Sequence, residues 1–213
     1  AAAALRAAAT APARRGGTGD ERALVEALAL ALPGGWLAAA DRLEARLVTA
    51  PGGVLLAKLA TGLRFMRGDA RGMRRLTTSL LPARAGGARG QGYLLGLHAF
   101  ALGETGDAAG CERFGRAAVQ LGADDAWAIH AVAHALETGG RTAEGIAWVE
   151  ATRPGWTGCN NFAGHLAWHL ALFHLERGDH PRALALYDAE VRAVPSEDAR
   201  DMTNAISLLA RLE

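Results

Sequence analysis

Apolar residues recur along this chain at intervals of three and four positions, which is the spacing that places side chains on one face of an α-helix. No stretch alternates apolar and polar residues in the manner of a half-buried β-strand. Glycines and prolines divide the helical stretches into short segments. The pattern therefore predicts an all-α protein made of many short helices.

The glycine breakers recur at a nearly fixed interval. Gly68, Gly106, Gly140 and Gly178 are separated by 38, 34 and 38 residues, and a second set of breakers marks the other end of the same units. A period of this length is typical of tetratricopeptide-type helix–turn–helix repeats. The sequence therefore predicts a right-handed α-solenoid in which each unit is a pair of antiparallel helices.

We predict four complete helix pairs, with further helices on either side of them. The first helices are expected at about 54–67, 91–105, 125–139 and 159–177, and their partners at about 69–81, 107–121, 142–152 and 180–193. Other helices are expected at about 22–32, 36–49 and 197–213. This gives a repeat domain over residues 22–213, preceded over residues 1–21 by a terminal helix fragment and a flexible linker. Because the chain starts and stops in helical sequence, we expect it to be part of a longer protein.

Two of the predicted first helices carry a pair of histidines four residues apart. These are His130 and His134 on one helix, and His165 and His169 on the next. Residues at i and i+4 lie one turn apart on the same face of a helix, and the first helices of a solenoid line its concave surface. The two pairs are therefore predicted to meet in one groove.

Further polar and aromatic residues share the predicted groove. They lie at helical spacing from the histidine pairs, on the first helix of the preceding unit, or on the final helix. The candidate groove residues are His98, Trp127, His130, His134, Glu137, Asn161, His165, Trp168, His169, Asp201 and Asn204, and Ser207 could extend the same face. His174 lies about half a turn around the helix from His165 and is expected to face elsewhere.

Three interpretations of the paired histidines are open. They could be partly buried polar groups that tie helices together through hydrogen bonds, with or without a ligand in the groove. They could act as general acids or bases beside a carboxylate such as Glu137 or Asp201. They could also bind a metal ion. The zinc-protease pattern HExxH is absent, because alanine and leucine stand at its glutamate position, and we predict neither a bound metal nor another cofactor.

Composition and charge narrow the class of protein. Half of the residues are hydrophobic and 21% are charged, which is typical of a folded, soluble chain. Residues 1–89 carry a net charge near +8 and residues 90–213 one near −7. No recognition motif accompanies the arginines, so we predict no nucleic-acid partner. The longest apolar stretch is too short and too polar to cross a bilayer, and two cysteines are too few for a disulfide framework, so a cytoplasmic location is the simplest interpretation.

Several motifs, in the same order, resemble the tetratricopeptide repeat protein 38 family. They include DAWAIHAVAHALE at 125–137 and NNFAGHLAWHLALFHLE at 160–176, with shorter strings at 92–100, 186–188 and 201–213. The resemblance covers roughly residues 23–213. The resemblance implies a tetratricopeptide-like array within a longer protein. It also implies that every groove candidate except Trp127 stands at a family-typical position. It implies no established activity. The chain departs from the family pattern at Gly103 and Ala210.

Our leading hypothesis is a helical-repeat binding or scaffold module whose groove binds a peptide or a small polar molecule. Four histidines and two tryptophans are predicted to face the groove, without a complete catalytic constellation. The alternative is an enzyme that uses the same histidines as acid–base groups or as metal ligands. We expect no membrane partner, and we expect that apolar faces at the ends of the array allow pairing into a homo-oligomer.

Overall fold

The computed structural model describes residues 17–84 and 90–213. Eleven α-helices, and no β-strand, occupy these two ranges. The helices are α1 (Gly19–Ala31), α2 (Trp36–Thr49), α3 (Val54–Phe65), α4 (Ala70–Leu80), α5 (Gln91–Gly103), α6 (Ala108–Leu121), α7 (Ala126–Thr138), α8 (Thr142–Ala151), α9 (Phe162–Glu176), α10 (His180–Leu186) and α11 (Ala199–Leu212). Short 3₁₀ turns follow α4 (Leu81–Arg84) and α8 (Arg153–Gly155), and a π-helical turn (Tyr187–Val191) continues α10. None of these helices combines the length and the apolar character that spanning a bilayer would require.

The prediction of an all-α helical-repeat fold is confirmed, and every helix except α10 begins and ends within three residues of its predicted position. α1 starts at Gly19, earlier than predicted, because Thr18 caps it. The Thr18 hydroxyl accepts a hydrogen bond from the Glu21 N–H (3.2 Å), and the Glu21 carboxylate accepts one from the Thr18 N–H (2.7 Å). Residues 19–21, which we predicted as part of the linker, are therefore helical, and the predicted helix fragment at the start of the chain lies outside the described residues.

The predicted end of α10 is wrong. We expected this helix to reach residue 193, but its α-helical segment ends at Leu186 and a π-helical turn carries the chain to Val191. The Arg192 N–H donates to the Tyr187 carbonyl at 2.8 Å, which closes the wider π-type ring. The spacing of apolar residues continues through this region, so the sequence pattern does not distinguish the α-helix from the π turn.

Each repeat turns at one of the four breaker glycines and restarts at the next helix. All four glycines have a positive φ, between 64° and 85°, which glycine adopts without a Cβ penalty. An aspartate follows in three of the repeats and caps the next helix by accepting a backbone N–H three residues on; these are Asp69, Asp107 and Asp179. In the other repeat Arg141 takes this position and forms ion pairs with Glu112 and Glu144. The period of the breakers is therefore the period of the structure.

The first helices of the pairs, α3, α5, α7, α9 and α11, contact one another in chain order. We call them the first-helix layer, and the second helices α4, α6, α8 and α10 pack against it. Leu170 from a first helix and Val149 and Leu186 from second helices lie in one buried core cluster, which joins the two sets of helices. Gly145 lets α8 approach α9 closely, because a Cβ there would lie 2.4 Å from the Phe173 ring. This packing sets α7 beside α9, the two helices that carry the histidine pairs.

A buried arginine joins α2, α3 and the start of α4. Arg64 is 5% exposed, and its guanidinium donates to Asp41 (2.6 Å), to Asp69 (2.5 Å) and to Glu44. Its Nε, Nη1 and Nη2 atoms each have a carboxylate acceptor, which is the pairing a buried guanidinium requires. We call these four residues the Arg64 cluster.

Candidate functional site at four histidines

The two histidine pairs meet where α7 lies beside α9. His130 Nε2 lies 2.9 Å from His165 Nε2 on the neighbouring helix and 2.9 Å from His134 Nε2 on its own helix. The His169 ring packs against the rings of His130 and His134, with centroid distances of 5.0 and 4.6 Å. One nitrogen from each of the four side chains lies within 4.8 Å of those of the others. We call these four residues the histidine cluster.

Helix geometry explains why the four rings converge. The members of each pair lie one turn apart on the same face, and α7 and α9 turn these faces towards each other. His130 is 3% exposed and His169 is fully buried, so one ring from each helix forms the base of the cluster. His134 and His165 are half-buried and form its rim.

Two of the rings are oriented by a second polar side chain. His169 Nδ1 lies 3.0 Å from Glu137 Oε2, and His165 Nδ1 lies 3.1 Å from Asn204 Oδ1 on α11. Because both partners are oxygen acceptors, Nδ1 carries the proton and donates it, which leaves an unprotonated Nε2 on each neutral ring. An oxygen acceptor behind an imidazole is also the arrangement that orients histidines bound to metals.

α11 completes the polar side of the site. Trp168 stacks on His165, with ring centroids 5.4 Å apart and an interplanar angle of 12°. Its Nε1 donates to Ser207 Oγ at 2.9 Å. Asn204 and Ser207 are three residues apart on α11 and so share one face. Three successive first helices therefore contribute side chains to one site.

Aromatic side chains form the opposite wall. Phe100 from α5 lies 5.5 Å from His130 and 6.0 Å from His134, measured between ring centroids. Trp127 and Phe162 also pack on His130, at 5.4 and 5.2 Å. These rings supply van der Waals contact, and their faces offer no conventional hydrogen-bond partner to the imidazoles.

Burial sets the protonation state of the cluster. Desolvation lowers the pKa of His134 to about 3 and holds the pKa of His130 and of His169 well below the ordinary value. It also lowers the pKa of His165. All four rings are therefore neutral at pH 7, with ring lone pairs available. A general base works best with a pKa near the operating pH, so imidazoles with strongly lowered pKa values are weak general bases at pH 7.

Hydrogen bonds within the protein do not satisfy the cluster. His169 Nε2 and His130 Nδ1 are buried and have no partner among the described residues. An unsatisfied buried polar atom costs about 1–3 kcal/mol. In addition, no placement of protons gives both 2.9 Å contacts of His130 Nε2 a linear hydrogen bond, because His165 Nε2 can only accept. The cluster therefore has more acceptor lone pairs than N–H donors that can point at them.

Of the other predicted groove residues, the structure brings Trp127, Glu137, Trp168 and Asn204 to the cluster. His98 lies elsewhere, which corrects our expectation for it. Its Nδ1 lies 3.0 Å from Thr77 Oγ1, and its ring packs on Phe114 at 4.8 Å, on the side of the second helices. Two residues along a helix correspond to a turn of about 200°, so the residue of α5 that faces the cluster is Phe100.

Asn161 and Asp201 lie at the edges of the site. Asn161 is the N-cap residue of α9, one turn before His165, and its side chain makes no capping hydrogen bond. Asp201 lies in the first turn of α11, one turn before Asn204. Both residues are half-buried. The structure places neither within the hydrogen-bonded group of rings.

Three residues near the site were not predicted from the sequence: Phe100, Phe162 and Lys58. Lys58 Nζ lies over the Trp127 ring, 3.1 Å from its centroid, and burial lowers the pKa of this amine to about 8. One signal could have drawn attention to it, because Lys58 is the one lysine in a chain whose 22 other basic residues are all arginine. The two phenylalanines carry no such signal, since apolar residues at helical spacing are core residues by default.

No protein-family model matches the chain. Among solved structures, the chain is similar to the crystal structure of TTC0263, a thermophilic TPR protein in Thermus thermophilus. The two share 16% sequence identity with a TM-score of 0.66, over 90% of this chain and 99% of that chain. At this level of identity the similarity shows the fold alone, which is a tetratricopeptide-like helical repeat. Such arrays serve as scaffolds or binding modules.

Proposed function

We propose that this helical-repeat protein binds a peptide or a small polar molecule on its first-helix layer, at the histidine cluster. The observation that carries the proposal is the convergence of polar side chains from α7, α9 and α11 at one place in the first-helix layer. Packing alone favours apolar side chains at such positions, because burying polar groups has a cost. The first-helix layer of a solenoid is also its usual binding surface.

The rim of the cluster offers several kinds of contact to a ligand. His134, His165 and Trp168 are half-buried, and the Glu137 side chain is 33% exposed. Arg211 on α11 is exposed and close enough for its charge to act on the Glu137 carboxylate. The rim thus combines an apolar indole, hydrogen-bonding groups and charges of both signs. A peptide matches this set, because its backbone both donates and accepts hydrogen bonds.

The ordered motifs of the sequence also support a relationship to the tetratricopeptide repeat protein 38 family. The residues that these motifs contribute to the site, among them His130, His165 and Asn204, lie together on three helices that are distant in sequence. This relationship carries no activity with it, and the proposed function depends on the geometry of the site.

NMR of the imidazole groups tests the proposal. The probe is a set of N-acetylated tetrapeptide amide pools, each with one fixed residue, added to tag-free protein labelled with ¹³C and ¹⁵N at histidine. We expect at least one pool to shift the signals of His134 and His165 and to leave those of His174 and His180 unchanged. The peptide selected from that pool should bind Trp168→Ala about tenfold or more weakly, as expected for an aromatic anchor.

His174→Ala is the matched control, because His174 lies on the same helix but bonds to Asp179 instead of the cluster. This variant should retain full affinity for the selected peptide. The proposal is wrong if no pool shifts the rim signals at millimolar concentration, or if the only shifts are at His174 and His180.

A further inference from the structure

We infer that the Nε2 atoms of His130, His134, His165 and His169 bind one divalent transition-metal ion of the zinc class. This inference deepens the proposed function and rests on its site, because the ion would form the floor on which a ligand at the rim is held. The ion and the ligand can nevertheless be tested separately.

The positions of the nitrogen atoms fit such an ion. Tetrahedral zinc has Zn–N bonds of about 2.0–2.1 Å, which separates neighbouring ligand nitrogens by roughly 3.3–3.4 Å. His130 Nε2 lies 2.9 Å from the Nε2 atoms of both His134 and His165, and one nitrogen from each of the four rings lies within 4.8 Å of the others. In a tetrahedral site the two 2.9 Å contacts would lengthen by roughly 0.4–0.5 Å, and the wider separations, which are at most 4.8 Å, would shorten.

The outer hydrogen bonds already point two lone pairs into the cluster. With Nδ1 of His169 donating to Glu137 and Nδ1 of His165 donating to Asn204, both rings present an unprotonated Nε2 to the interior. A carboxylate or an amide oxygen behind a bound imidazole is the usual support of a metal ligand. The sequence separation of these partners, 32 and 39 residues, shows that the support is built by the fold and not by one helix.

The unsatisfied atom of the cluster is the second independent observation. His169 is fully buried, and its Nε2 has no hydrogen-bond partner among the described residues. A proton placed between His130 Nε2 and one neighbour leaves the second 2.9 Å contact of His130 Nε2 without a linear hydrogen bond. A cation accepts all of these lone pairs at once, which the protons of neutral imidazoles cannot do.

The burial of the base selects a small ion over a larger ligand. His130 and His169 lie behind the half-buried His134 and His165, so the backbone of a peptide reaches only the rim. Four neutral imidazoles without a thiolate suit zinc, copper, nickel and cobalt rather than calcium or magnesium, which prefer oxygen ligands. The Glu137 carboxylate behind His169 offsets part of the charge of the ion.

The experiment uses tag-free protein that has been stripped with a chelator and reloaded. Zn²⁺ is titrated by calorimetry, Co²⁺ is followed by its visible absorption, and bound metal is counted after dialysis. We expect one ion per chain, with the strong visible bands of tetrahedral cobalt. We also expect the melting temperature to rise by about 5–15 °C once free metal exceeds Kd about a thousandfold.

Two variants assign the site, and two more serve as controls. His130→Ala together with His169→Ala should abolish stoichiometric binding. Glu137→Gln, which keeps all four ligands, should weaken zinc affinity about 10- to 100-fold. The matched controls are His174→Ala and Cys159→Ser, which should bind zinc as the unmodified chain does. Circular dichroism of each metal-free variant shows whether it is folded, and Glu137→Gln remains informative if the double variant does not fold.

The inference is wrong if the stripped protein takes up none of Zn²⁺, Cu²⁺, Ni²⁺ or Co²⁺ in stoichiometric amount, or if Glu137→Gln binds zinc as tightly as the unmodified chain. Repeating the peptide titration with and without Zn²⁺ separates this inference from the proposed function. Metal binding without any peptide binding would sink the proposed function alone. If zinc did not bind and the peptide bound metal-free and zinc-treated protein equally well, the metal site alone would be wrong.

Discussion

The Arg64 cluster and the histidine cluster are both buried groups of polar side chains, and their hydrogen bonds are satisfied to different degrees. In the Arg64 cluster, a guanidinium with three carboxylate partners joins α2, α3 and α4, and each of its nitrogen atoms has an acceptor. In the histidine cluster, four neutral rings leave two nitrogen atoms without a hydrogen-bond partner within residues 17–84 and 90–213. Buried polar groups that satisfy their own hydrogen bonds can hold a fold together, whereas unsatisfied nitrogen atoms leave lone pairs that a ligand can occupy. This difference is the one we expect between a structural tie and the proposed binding site.

The two clusters also differ in where they lie. The Arg64 cluster includes Asp69, the N-cap residue of α4, and therefore fixes a turn that recurs in every repeat. The histidine cluster joins α7, α9 and α11 across the first-helix layer, where the repeats differ from one another. The position of the Arg64 cluster at a helix turn suits a role in the architecture, and the position of the histidine cluster on the first-helix layer supports the proposed binding.

The largest effect is expected for Arg64→Met. This change removes the cation that neutralises Asp41, Glu44 and Asp69 while keeping most of the buried side-chain volume. We expect the free energy of unfolding, measured by urea denaturation at pH 7, to fall by about 3 kcal/mol, the low end for breaking a buried ion pair, because the carboxylates left behind are partly hydrated. Arg75→Met is the control. Arg75 also contacts Glu44, but it is 64% exposed, and its loss should cost at most about 0.5 kcal/mol. If Arg64→Met and Arg75→Met lowered the free energy of unfolding equally, the Arg64 cluster would not be a structural tie.

A smaller effect, with a distinct pH dependence, is expected for Asp69→Asn. The Gly72 N–H, and then the Arg64 guanidinium, hold the pKa of Asp69 below its ordinary value of 3.8. A carboxyl with a depressed folded-state pKa stabilises the fold above the unfolded pKa, and this stabilisation is lost as pH falls through the folded value. Asparagine can still cap α4, so the variant isolates the ion pair.

We expect Asp69→Asn to lower the free energy of unfolding by about 1 kcal/mol at pH 7, and the difference from the unmodified chain to shrink below about pH 4. The matched control is Asp107→Asn, one repeat later, whose nearest cation Arg74 is 3.7 Å away and exposed. Its loss at pH 7 should be smaller. A difference for Asp69→Asn that persists undiminished at pH 3 would contradict the role of the carboxylate charge.

The fold was largely predictable from the sequence, because each repeat is defined by turn residues and apolar spacing within a short stretch of chain. The interval between Gly68, Gly106, Gly140 and Gly178 is the interval between turns, and the apolar spacing defines the helices between them. The π turn after Leu186 was not predictable, since the hydrogen-bond register changes there while the side-chain pattern does not. The positions of the turns and helices were therefore predictable from the sequence, and the change from α-helix to π turn was not.

The candidate site was predictable only in part. Spacing on a helix gives the pairing of His130 with His134 and of His165 with His169, and the repeat period places the two helices side by side. Packing sets the rotation of each helix about its own axis. The sequence alone therefore could not show which residue of α5 faces the groove, and it did not exclude His98. The burial that leaves His169 Nε2 unsatisfied is a property of the folded chain, and no sequence pattern reports it.

The smallest effect on stability is expected for His169→Leu in metal-free protein. Leucine has a similar volume, needs no hydrogen bond, and removes the unsatisfied Nε2 from the base of the cluster. Glu137 loses its partner, but its side chain is 33% exposed and water can replace that hydrogen bond. We expect the free energy of unfolding, measured by urea denaturation in the presence of a chelator, to change by less than about 1 kcal/mol in either direction.

The comparison of the two clusters depends on this result. His174→Leu, on the same helix and outside the cluster, controls for placing leucine on α9. With zinc added, the unmodified chain and His174→Leu should gain stability and His169→Leu should gain little, because only the first two keep all four imidazoles. If His169→Leu instead lost about 3 kcal/mol without metal, as expected for Arg64→Met, the histidine cluster would be a structural tie of the same kind. The histidine cluster is a binding site rather than a structural tie if His169→Leu leaves the free energy of unfolding nearly unchanged without metal and also removes the stabilisation by zinc.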